Sequence, residues 1–128
     1  MLTKVALGLA ALGFLGFGLA ALIAPVATMA GADLALTDPR AIVEVRAFYG
    51  GLEIALGILL VLAFRAKYQS AGLVLGFASY LGIALARGLG MLLSGTQSNF
   101  LWFALATELL FAGFCGLAWW RNRLDLHR

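Results

Sequence analysis

The stretch VALGLAALGFLGFGLAALIA, Val5 to Ala24, decides the fold class, and no charged side chain occurs anywhere between Lys4 and Asp33. About 20 mostly apolar residues are enough to cross a bilayer as a helix. Working outward, three more stretches qualify, at about 39–64, 70–93 and 99–120. Backbone polar groups in lipid must be bonded within their own segment, so these runs are expected to be helices. The alternating segments of about ten residues that mark a membrane β-barrel are absent from the sequence. The expected fold is therefore all-α: one domain over residues 1–128, a bundle of four transmembrane helices with both termini cytoplasmic.

The punctuation agrees. Asp38-Pro39 reads as an N-cap followed by proline at the first helical position. The Arg65 to Tyr68 break separates the second span from the third, and Ser94 to Asn99 separates the third from the fourth. Lys4, the apolar run and Ala30-Gly31-Ala32 imitate a cleaved signal peptide. The run is longer than the usual apolar core of about 7–15 residues, so a retained span is expected.

Composition sets the exclusions. The chain has 128 residues, 63% hydrophobic and 12% charged, with a mean hydropathy of +1.00. Soluble domains carry about 25% charge. A disordered chain, a collagen-like one and a water-soluble globule are all excluded. Cys115 and His127 stand alone in their types, so no disulfide framework or Cys/His zinc site is expected, and neither a metal nor a cofactor. Cys115 reads as a packed thiol and His127 as a solvated tail residue.

Lysine and arginine orient the chain. Lys4, Arg65, Lys67, Arg121, Arg123 and Arg128 fall on one side of the four spans, with Arg40 alone on the other. The positive-inside rule then places both termini and the middle loop in the cytoplasm, and the protein in a bacterial inner membrane. The net charge of +3 is thus an orientation signal; no basic soluble face suggests nucleic acid. Tyr68, Trp102, Trp119 and Trp120 stand at the expected interfaces, as aromatic belts do.

Four ionisable residues remain inside the spans: Arg46, Glu53, Arg87 and Glu108. Each costs about 2.5–3.5 kcal/mol at a helix centre, whereas polar contacts between membrane helices return about 0.6 kcal/mol on average. Adhesion alone is a poor reason to keep them. At 100° per residue, Arg46, Gly50, Glu53 and Gly57 share a stripe with Tyr49 beside it. Gly72, Gly76, Tyr80 and Arg87 share another, and Glu108 lies on a third with Cys115. The glycines at 50, 57, 72 and 76 suit close helix packing. Counting the rise per residue puts all four charges in the outer half or near the midplane. The expectation is two guanidinium groups above two carboxylates, beneath an outward opening.

The run Glu44-Val45-Arg46-Ala47-Phe48-Tyr49-Gly50-Gly51-Leu52-Glu53 resembles a bacterial family of small four-helix integral membrane proteins, itself a domain of unknown function, with Arg-Ala-x-Tyr-Gly-Gly in the second span. The likeness extends from about residue 25 to 120, and Arg87-Gly88 and Glu108 match its later positions. It implies that Arg46, Tyr49, Gly50, Arg87 and Glu108 act together; it implies no activity. A fainter resemblance to DoxX-like four-helix membrane proteins adds nothing further.

The leading functional expectation is a membrane protein that binds a polar or anionic head group of a lipid- or quinone-like molecule. The site is Arg46, Tyr49, Glu53, Tyr80, Arg87 and Glu108, facing outward. Two alternatives stand beside it: an accessory subunit of a larger membrane complex or homo-oligomer, and a small proton-coupled transporter using Glu53 or Glu108. An enzyme is the thinnest reading, because no nucleophile–base pair, metal set or phosphate loop is present and no residue reads as catalytic.

Overall fold

The computed structural model describes residues 1–125; His127 and Arg128 lie outside the described residues. The chain is helical, and no strand occurs among the described residues. Helix α1 runs Leu2–Ile23, followed by a short α2 at Pro25–Ala30. The second span is composite: α3 at Pro39–Val45, a π-helical turn at Arg46–Leu52, and α4 at Glu53–Leu62. A 3-10 turn at Ala66–Tyr68 leads into α5, Gln69–Ser94, and α6 covers Asn99–Asp125. Four of these helical stretches are long and apolar enough to cross a membrane: Leu2–Ile23, Pro39–Leu62, Ala66–Ser94 and Asn99–Leu124. A multi-pass protein in a lipid bilayer follows.

Local chemistry sets the ends. Pro25 disfavours helical backbone at Ala24, which turns to φ −130° and ψ 61°, and α1 stops. Asp38 caps α3 by accepting the Arg40 backbone N–H at 2.8 Å, with Pro39 at the first helical position. After Ser94, Gly95 takes the left-handed conformation at φ 66°, where glycine carries no Cβ penalty. The Ser98 hydroxyl oxygen accepts from Leu101 N–H at 3.2 Å and starts α6.

Helix α1 is the hub, packed against the π turn and α4 of the second span and also against α5 and α6, while α5 and α6 form a tight antiparallel hairpin. Leu7, Leu60, Leu73 and Cys115 are wholly buried where these helices meet. Backbones approach closely at small residues. A Cβ on Gly18 would stand 3.0 Å from Ile54 N and 3.1 Å from Gly50 O. Gly50 lies against Leu22, Gly57 against Leu15, Gly72 against Ala63, and Gly76 against Cys115. Leu12, Leu85, Leu89 and Phe103 are exposed, as lipid-facing side chains are.

One feature departs from the sequence reading. The second span is not one uniform helix, because seven residues beginning at Arg46 adopt the wider i→i+5 form. The connection at 25–38 begins with the short helix α2, whose Pro25 and Met29 are buried.

Candidate functional site

The α5–α6 hairpin brings two charges level. Arg87 lies seven residues before the end of α5 and Glu108 nine after the start of α6, hence ~10 and ~14 Å along their helices. The Arg87 guanidinium grips the Glu108 carboxylate: Nε donates to Oε1 and Oε2 at 3.0 and 2.9 Å, and Nη2 donates to Oε1. The arginine side chain keeps 26% of its surface exposed and the glutamate 11%. Such a planar two-pronged contact fixes both side chains and suits arginine better than lysine.

Glu53 sits at the first residue of α4, immediately beyond the π turn, and is partly buried with its Cβ facing Gly18. Glu108 and Arg87 are close enough for their charges to act on it. Among the described residues it takes part in no hydrogen bond or ion pair. Tyr49, half exposed on the same π turn, stands edge-on to Phe17 with ring centroids 6.2 Å apart. Tyr80 is buried: its hydroxyl donates to the Ala10 carbonyl at 2.8 Å, and its ring packs on Phe14 at 4.4 Å and on Phe111 at 5.1 Å. Tyr80 therefore joins α5 to α1 beneath the charged group, with its one O–H already used.

Arg46 makes a different contact from Arg87. Its Nε donates to the Leu22 carbonyl at 3.2 Å, and its side chain is exposed. The cause is the break in α1. Once the helix stops at Ile23 and Pro25 offers no N–H, the last carbonyls of α1 need donors, and Arg46 supplies one. One arginine thus meets Glu108 while the other caps a helix.

Sequence reasoning missed the cleft beside the ion pair. About 250 Å³ in volume, it lies between α5 and α6 and is lined by Gly88, Met91, Leu92, Gln97, Trp102 and Leu105. Met91 is one helical turn beyond Arg87, and Leu105 is one turn before Glu108, so the cleft ends ~5 Å from the pair. As sequence, Trp102 marks only an interface. Its i+3 spacing to Leu105 and its nearness to the Ser94–Asn99 loop were the available signals.

Among the described residues, no cluster of His, Cys, Asp or Glu has metal-binding geometry. Comparison with curated proteins and with solved structures finds no significant match to either. A family model matches residues 2–120, nearly the whole chain, and its four apolar helices fit that breadth. The chain belongs to the family described as a domain of unknown function, DUF4345.

Proposed function

We propose that the α5–α6 seam binds the polar head of a small lipid-soluble molecule, with a quinone-like ring in the cleft and its polar edge at Arg87 and Glu108. The observation that carries this reading is the position of the 250 Å³ cleft, one turn from the bidentate ion pair. Its volume is slightly below the common range of ligand sites, about 300–1,000 Å³, and suits a single ring better than a whole lipid. Met91, Leu92, Trp102 and Leu105 supply apolar contact. Arg87 retains N–H groups beyond those given to Glu108, and these donate to a carbonyl or hydroxyl oxygen.

The electrostatics favour a neutral hydrogen-bonding head over an anion. The Arg87 charge is balanced by Glu108, and Glu53 adds a carboxylate nearby. Tyr49 and Glu53 approach Arg87 from the second span, whereas Arg46 is engaged at the end of α1 and Tyr80 is buried against α1. We also take the cleft end to face outward from a bacterial inner membrane, on the charge asymmetry of Lys4, Arg65, Lys67, Arg121 and Arg123 against Arg40. Reporter fusions at both ends test that orientation.

The binding test uses tryptophan fluorescence. With Trp119→Phe and Trp120→Phe, only Trp102 reports. A benzoquinone bearing one isoprene unit, titrated into the protein in nanodiscs, is expected to quench saturably. Glu108→Gln is expected to weaken that binding about tenfold, the loss of one charge-assisted contact. Linear quenching, unchanged by Arg87→Gln and Glu108→Gln, would refute the site.

A second reading rests on Glu53. A carboxyl with no partner inside a span is the residue a proton-coupled transporter would use. Proton flux into proteoliposomes that survives Glu53→Gln removes this alternative. The accessory-subunit reading instead predicts a stable partner or second copy in mild detergent; a clean monomer there counts against it.

A further inference from the structure

A second cleft lies at the opposite end of the bundle, ~20 Å along α6 from Glu108. It has a volume of about 310 Å³ and is lined by Met1, Leu2, Thr3, Ala118, Arg121 and Asn122. The Thr3 hydroxyl donates to Asn122 Oδ1 at 3.0 Å, joining the start of α1 to the end of α6. With that oxygen engaged, the Asn122 carboxamide offers its N–H donors, and Arg121 adds an exposed guanidinium. The donors outnumber the acceptors, and the lining carries positive charge.

Depth completes the argument. The same end holds Trp119, with the Arg123 guanidinium 4.7 Å above its ring, and Tyr68, with the Lys67 ammonium 5.4 Å from its ring. Aromatic residues of this kind mark the head-group level of a bilayer. The cleft therefore opens where lipid phosphates lie. We propose that it holds a phosphate group, carried by the head of an anionic phospholipid or supplied as the free ion. Phosphate is an acceptor at every oxygen, and the planar arginine fork matches it.

The test uses the full chain with Trp102→Phe, so that only Trp119 and Trp120 fluoresce. In nanodiscs, phosphatidylglycerol with brominated acyl chains is set against brominated phosphatidylcholine, and quenching gives their relative association. A second arm follows the phosphorus resonance of inorganic phosphate in phosphatidylcholine nanodiscs. If lipid is the source, phosphatidylglycerol is preferred about fivefold; Arg121→Gln and Asn122→Ala abolish the preference, and Arg65→Gln preserves it. If the free ion is the source, the resonance broadens at millimolar phosphate and Arg121→Gln removes the broadening. The proposal is overturned if neither signal depends on Arg121, or if Arg65→Gln lowers the preference equally, which is a diffuse charge effect. Arg121 is exposed near the end of α6, and circular dichroism checks that each variant remains helical.

Discussion

The two main helix contacts are built on different principles. Where α1 meets the second span, Gly18 and Gly50 let backbones approach to van der Waals range, and Arg46 reaches across to a backbone carbonyl, that of Leu22. Where α5 meets α6, a bidentate ion pair lies inside the apolar run. Small-residue contacts are the ordinary means of joining helices in lipid, where apolar surface alone gives no preference for protein over acyl chain. The ion pair adds an insertion cost that packing does not require. The first contact is scaffold; the second is where we propose the binding site.

Breaking the second contact is expected to have the largest effect. Glu108→Ala leaves the Arg87 charge inside the bundle without its partner. Removing one member of a buried pair costs about 3–5 kcal/mol, and the partial exposure of Arg87 puts this case at the lower end. The double change Arg87→Met with Glu108→Leu is expected to recover most of that loss while abolishing quinone quenching. Reversible unfolding in mixed micelles measures both. Full stability of Glu108→Ala would mean that the pair does not support the seam.

Next comes the scaffold. Gly18→Leu drives a side chain into the Ile54 and Gly50 backbone, which cannot rotate away, so a loss of about 1–3 kcal/mol or more is expected. Gly16→Ala is the control on the same helix, since nothing lies within 4 Å of that position. A gain of about 0.5–1 kcal/mol is expected there from helix propensity. Equal losses in both variants would show that the contact at Gly18 is not tight.

The contrast also explains what could be read from sequence. The four spans were legible because length and apolarity alone define them, and Pro39 and the Ser94–Asn99 break marked their ends. Counting residues along the helices places Arg87 and Glu108 in the outer half or near the midplane, but with the guanidinium above the carboxylate rather than paired at one level. The π turn at Arg46–Leu52 was not legible, because one widened turn leaves no periodic signal in an all-apolar run. Nor was the role of Arg46, which depends on a carbonyl left open by the end of a different helix. The clefts depend on side-chain rotamers across helices that composition does not encode.

Tyr80 ties the two contacts together, and its removal is expected to be milder. Tyr80→Phe keeps the packing on Phe14 and Phe111 but loses the bond to the Ala10 carbonyl, for a cost of about 0.5–1.5 kcal/mol. A loss comparable to that of Glu108→Ala would place the coupling between α1 and α5 above the ion pair.

The smallest effect lies outside the membrane, at the start of the second span. The Arg40 backbone N–H, and then the Arg40 side chain, hold the Asp38 carboxyl below its ordinary value of 3.8. The folded form therefore favours the ionised cap. Its contribution is complete above the unfolded value and is lost as pH falls through the lower folded value, so the first turn of α3 is expected to fray only under acid conditions. Amide exchange at Arg40 and Ala41, followed between neutral pH and pH ~3, reads that fraying directly. Asp38→Asn keeps a capping oxygen but removes the titration, so its exchange profile should lose the acid-side change attributable to the cap. An unchanged acid dependence in Asp38→Asn would leave Asp38 as a geometric cap alone.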